Sequence, residues 1–170
     1  MKYLMDTHAL IWFLEGDQRL SITAQRIICN DEADVYLSIV SLWEMAIKIS
    51  LGKLELSQSL DQIIDKLPQQ KITLLPIQPA HIQALLGLPF EHRDPFDRLL
   101  IGQAMVEAMR LISNEALFLR YGVDRVWWLS NQVIKPDFKP SGWKRKRVHL
   151  EIPQNEPRLQ TVLLSKLKSD

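Results

Sequence analysis

Lys2-Tyr3-Leu4-Met5-Asp6-Thr7-His8 opens the chain with a short apolar run that stops on an acid. Such a run reads as a buried strand, and its end places Asp6 at the strand's C-terminal edge, where parallel α/β folds gather their reactive groups. The following residues change period. His8 to Leu14 reads as a helix ended by Gly16 and Asp17, and Ser21 to Cys29 as a second helix capped by Ser21, with Ile22, Ile27 and Ile28 turned to the core. Val35 to Val40, rich in β-branched and aromatic residues, reads as a second strand. Strand alternating with helix is the pattern of an α/β fold.

Three more acids fall at comparable places. In Ser41-Leu42-Trp43-Glu44-Met45-Ala46-Ile47-Lys48, Ser41 is the expected N-cap and Glu44 completes a Ser-x-x-Glu capping box. Glu44 there either serves the helix, through the cap, the dipole or a pair with Lys48, or carries chemistry. Trp43, Met45 and Ile47 read as packing residues, and Gly52 as the left-handed stop. Helices over Leu60 to Leu67 and Ala80 to Leu86 flank a strand over Ile72 to Ile77, punctuated by Pro68, Pro76, Pro79 and Pro89. His81 is expected on a helix surface. Asp94 caps a helix with Pro95 at its first position, so Asp97 falls in the first turn, either as a second dipole-compensating acid or as a functional one. Leu111 to Ser113 reads as a short strand, after which Glu115 opens a helix running into Phe118 and Arg120.

One acid at a helix start is ordinary; four on successive units are harder to explain by capping. Carboxylates brought together repel and raise one another's pKa unless a cation compensates them. Oxygen-only donors suit a hard ion such as Mg²⁺, which prefers a few carboxylates plus water and substrate oxygens, and that chemistry points to phosphodiester hydrolysis. The chain has room for such a fold. With 170 residues and 46% hydrophobic content it suits one compact domain rather than a disordered segment. Cys29 is the only cysteine, which excludes an internal disulfide and a cysteine metal site and fits a reducing compartment. The apolar start is too short for a secretory signal and no stretch is long enough to span a membrane, so a soluble, cytoplasmic protein is expected.

The ordered motifs resemble those of the PIN-domain ribonucleases, and among them the VapC-type toxins of toxin-antitoxin pairs. The resemblance covers Met1 to about Trp128: the opening strand and Asp6-Thr7, the Trp43-Glu44 helix with Leu51-Gly52-Lys53-Leu54, the Asp94-Pro95-Phe96-Asp97-Arg98 helix, and Ser113-Asn114-Glu115. It implies a three-layer α/β/α fold with a central parallel sheet, Mg²⁺- or Mn²⁺-dependent cleavage of RNA, a homodimer, and a cognate antitoxin that blocks the site. By the same resemblance Asp6, Glu44, Asp97 and Glu115 are the metal-binding, catalytic acids, with Thr7 and Ser113 holding their carboxylate neighbours. Thr7 and Ser113 also suit plain turn or cap roles. Glu115 stands where the family usually has Asp, and its extra methylene matters to an ion with strict geometry.

Arg93 and Arg98, next to the third acid, are the residues placed to touch substrate phosphate; either could instead pair with a neighbouring acid. His8 and His92 are read as structural or substrate-adjacent, because their spacing suggests no zinc site. A PIN-like nuclease domain over 1–130 is followed by a basic extension over 131–170, which lies beyond the resemblance. Residues 131–170 hold nine basic and four acidic side chains, a net +5 that leaves the body at −4. Its Lys144-Arg145-Lys146-Arg147 run beside Trp143 is either an RNA contact or a solvated tail. Two other functions compete with the nuclease. One is a catalytically inactive PIN module that binds RNA or protein. The other, a phosphatase or receiver domain of α/β fold, lacks its required second acid beside Asp6.

Overall fold

A computed structural model of the chain describes residues 1–127, so the expected basic extension lies outside the described residues. Five parallel strands form one sheet: β1 (Lys2–Met5), β2 (Asp34–Ser38), β3 (Ile72–Leu75), β4 (Arg110–Ile112) and β5 (Arg125–Val126), in the order β3-β2-β1-β4-β5. They are interleaved with helices α1 (Thr7–Glu15), α2 (Ile22–Ile28), α3 (Ile39–Ser50), α4 (Leu60–Lys66), α5 (Pro79–Ala84) and α6 (Pro95–Val106). Among the described residues, no helix is long and apolar enough to cross a membrane.

The central strand shows why the sheet is covered on both faces. Side chains alternate along a strand, so Tyr3 and Met5 of β1 pack with Leu10 of α1, Ala24 of α2, Met45 of α3 and Ile63 of α4. Leu4, between them, turns to the other side and meets Leu100, Ile101 and Ala104 of α6. The result is the expected three-layer α/β/α arrangement. Each fully buried residue of this kind, such as Leu4 or Leu100, contributes about 2 kcal/mol by leaving water.

Strand order then decides where reactive groups can gather. The chain steps outward from β1 to β2 and β3, then returns across β1 to lay down β4 and β5 on its other side. A reversal of this kind opens a crevice at the carboxyl ends of the two strands that flank it. Here those strands are β1 and β4. The Asp6 N–H donates to the Ile112 carbonyl at 3.1 Å, which holds the ends of the two strands together as they leave the sheet.

Three local expectations change. The strand expected over Val35 to Val40 ends at Ser38, and it is Ser38, not Ser41, that caps α3, its Oγ accepting from the Val40 N–H at 3.0 Å. β-branched Ile39 and Val40 favour strand locally, but Val40 becomes fully buried inside the helix, and packing overrides propensity. Ser41 is buried within α3, and Glu44 moves into the second turn, so the capping box does not form. His81 is not on a surface: it is fully buried between α5 and α6, with Nδ1 accepting from the Gln78 N–H and Nε2 at 3.0 Å from Glu107. Glu115 does open a helical segment, but one of 3₁₀ type over Ala116–Tyr121.

Candidate active site

Each of the four acids is set by the element that carries it. Asp6 is the N-cap of α1; its Oδ1 accepts from the Ala9 N–H at 2.6 Å, which fixes the carboxylate at the end of β1. Thr7, the first residue of α1, donates its hydroxyl to Glu44 Oε2 at 2.5 Å and so ties α1 to α3. The other oxygen of Glu44 lies 2.5 Å from Lys48 Nζ, one helical turn away. Asp94 caps α6 by accepting from the Phe96 N–H, and Asp97 follows in the first turn with Oδ2 3.3 Å from His92 Nε2. Glu115 caps the turn after β4, Oε1 accepting from the Leu117 N–H at 2.9 Å. Its own N–H donates to Ser113 Oγ, and the Ser113 side chain also hydrogen-bonds Asp6.

The electrostatics bring the four together. Burial, followed by the charges of Asp94, Asp6, Glu44 and Glu115, pushes the Asp97 carboxyl up to about 7. The positive end of the α6 dipole favours the anion there, so this rise is produced against the helix and not by it. Asp6 is likewise raised, first by burial and with a contribution from Glu44; the Ser113 and Ala9 hydrogen bonds and the charge of His8 oppose the rise. Glu44, at 5% exposure, sits in the same buried neighbourhood. Buried carboxylates with acidic neighbours are favoured in their charged form by a nearby cation.

In donor type and charge the set fits a hard divalent ion: oxygen donors only, mutually repelling, with two groups pushed toward the protonated form. Spacing is a separate matter. Among the described residues, no three His, Cys, Asp or Glu side chains stand close enough together to hold one ion. Each carboxylate has a local partner: Lys48 and Thr7 for Glu44, His92 for Asp97, Ser113 for Asp6, Leu117 for Glu115. Ion capture by this set therefore needs side-chain rotation, with exchange of the Lys48 or His92 contact for the ion.

Other expected site residues fare differently. Thr7 and Ser113 both bond acids, though Thr7 holds Glu44 across the site and not its chain neighbour Asp6. Arg93 is exposed beside Asp94. Arg98 is not at hand for substrate. It is buried, donates to the carbonyls of Pro89, Leu85 and Leu88, and stacks its guanidinium 4.6 Å from the Phe90 ring centroid. That role was invisible in sequence, since it depends on backbone acceptors in a distant turn. Trp43 departs from its packing role as well, standing 56% exposed while Met45 is fully buried.

The family model for the PIN domain matches residues 3–124. None of the curated proteins matches the chain in sequence. Among solved structures, VapBC2 from Rickettsia felis bound to a promoter DNA fragment superposes with a TM-score of 0.52 at 15% identity, covering 74% of this chain and 98% of that one. VapBC-1 from nontypeable Haemophilus influenzae gives 0.52 at 18% identity, with 74% and 97% covered. FitAcB from Neisseria gonorrhoeae gives 0.51 at 14%, with 72% and 95% covered.

Proposed function

The chain belongs to the PIN-domain family, and from that premise we propose that it is a metal-dependent endoribonuclease, the VapC-type toxin of a toxin-antitoxin pair. The observation that carries the proposal is the placement, within a PIN-domain match over residues 3–124, of Asp6 and Glu115 after β1 and β4 and of Glu44 and Asp97 on α3 and α6, with Asp97 raised by burial and then by the other acids. No structural need of the fold calls for that arrangement. Helix capping at this position is already done by Asp94.

Asp6, Glu44, Asp97 and Glu115 would hold the ion, Mg²⁺ or Mn²⁺, which when bound supplies acidified water and neutralises charge on the phosphate oxygens. The chain's own residues do the rest. Thr7 and Ser113 hold the carboxylates of Glu44 and Asp6 by hydroxyl hydrogen bonds, which limits how far either moves. Asp97, raised by burial, would hold the ion in its deprotonated form, so loading of the site would depend on pH. Exposed Arg93 offers a guanidinium for the RNA backbone. The partners are an RNA substrate, a second copy of the chain and a cognate antitoxin; support for the antitoxin lies in the resemblance to VapBC and FitAB assemblies. The cytoplasm, where RNA and a lone reduced Cys29 coexist, is the place of action.

The test is cleavage of single-stranded RNA with Mg²⁺ or Mn²⁺ by the full chain and by Asp6→Asn and Asp97→Asn variants. Loss of cleavage in both variants is expected; a parental rate in either removes the proposal. One specific feature favours a second reading, an inactive PIN module that binds RNA or protein: Glu44 is held by Lys48, and Glu115 stands in place of the family's usual Asp with one oxygen engaged as a cap. RNA bound by the parent but never cleaved, with any divalent ion, selects that reading.

A further inference from the structure

Trp43 and Phe96 are the residues immediately before Glu44 and Asp97. Their rings meet edge to face, with centroids 5.1 Å apart and planes at 77°. Successive helical residues are rotated by about 100°, so each ring flanks its neighbouring carboxylate without lying over it. The ring contact thus spans α3 and α6 beside the two acids that those helices bring within electrostatic reach. An edge-to-face contact engages one side of one ring and only the rim of the other. An indole face is therefore left open, in keeping with the 56% exposure of Trp43, while Leu42 and Met45 on either side of the Trp43-Glu44 pair are buried.

We propose that Trp43, braced by Phe96, is a stacking platform for a nucleobase of single-stranded RNA next to the phosphate that the acids address. The inference rests on the nuclease reading and specifies how its substrate is gripped. Trp43 and Phe96 directly precede Glu44 and Asp97, so a base laid on the indole leaves its own phosphate beside the acids that the nuclease reading assigns to cleavage. Every base has a π-face, so the platform grips single strands with little base preference and does not hold a duplex, whose bases are already stacked.

The experiment measures binding in an Asp97→Asn background, which separates grip from cleavage. The full chain is titrated into a labelled single-stranded RNA oligonucleotide and, separately, into an abasic chain of the same length. Trp43→Ala is expected to weaken binding of the base-bearing RNA by roughly 5- to 150-fold, the range for loss of one base–aromatic stack. Binding of the abasic chain stays unchanged, and Trp43→Phe recovers most of the loss. The part of the tryptophan quenching by RNA that is lost in Trp43→Phe is the direct signature, since the chain's other four tryptophans are common to both proteins. Equal affinity of Trp43→Ala and its parent for RNA overturns the platform while leaving the nuclease reading intact. So does a change in oligomeric mass on Trp43→Ala with RNA affinity unaltered, which would make the ring a protein contact. Trp43-dependent binding without any cleavage by the Asp97-bearing parent keeps the platform and removes the nuclease.

Discussion

Two regions of the described residues concentrate buried polar groups, and they are matched to different degrees. On the α5–α6 side, His81 meets Glu107, Arg98 meets three backbone carbonyls, and Gln103 joins Ser38 to the Pro76 carbonyl. Gly102 lets α6 approach α5 so closely that a Cβ there would lie 3.0 Å from the His81 carbonyl oxygen. Each of these side chains has a polar partner. At the carboxyl ends of β1 and β4 acids outnumber the basic side chains Lys48 and His92 that pair with two of them, and Asp6 and Asp97 are raised, first by burial and then by neighbouring acids. Matched polar groups hold a fold together; a surplus of like charge with raised carboxyls is a common mark of a functional site.

The contrast predicts opposite consequences of substitution. The largest effect falls on activity: Asp97→Asn is expected to lower RNA cleavage by at least about 100-fold, beyond the loss usual for a residue that merely supports a metal ligand. Its thermal midpoint without metal, measured above pH 7, should rise, because one buried like charge has gone. A fall would place Asp97 among the matched groups. On the other side the sign reverses. Arg98→Met leaves buried carbonyls without donors and is expected to destabilise the fold by about 3 kcal/mol in denaturant titration. A change under about 0.5 kcal/mol, the ordinary surface value, would contradict the matched network.

Acid titration sharpens the difference. With a folded pKa near 7 against 3.8 in the unfolded chain, Asp97 binds more protons when folded. The metal-free protein is therefore stabilised by this group at low pH and loses that contribution as pH rises through about 4 to 7, on the order of 4 kcal/mol across the window. Denaturation midpoints should show this fall in the parent and lack it in Asp97→Asn. The smallest effect belongs to Lys48→Met, which removes the i,i+4 pair with Glu44 at about 0.5 kcal/mol of stability. It frees that carboxylate, so Mn²⁺ affinity should increase; unchanged affinity would mean that Lys48 does not compete with the ion.

The two regions also differ in how far the sequence exposes them. Asp6, Asp94 and Asp97 could be placed because their positions follow from local rules: a strand that stops, an N-cap, a proline at the first helical position. The matched network could not. Arg98 acts on carbonyls 9 to 13 residues earlier in the chain, and His81 on Glu107, 26 residues later, so neither leaves a periodic trace. The boundary between β2 and α3 was misplaced because Ser38 and Ser41 are equally good caps locally. Burial of Val40 decides between them, and with that decision Glu44 ceases to be a capping residue. Trp43 looks like core in sequence because large aromatic residues usually are; its exposure follows from where α3 begins.

Mn²⁺ titrated calorimetrically into the metal-free full-length chain near pH 7, in two buffers of different ionisation enthalpy, reads both the heat and the protons released. A saturable site that expels protons, with binding and release both lost in Asp97→Asn, is the expected result. Heat that is absent, or that persists with the same proton count in the variant, would contradict a cation held by these four acids.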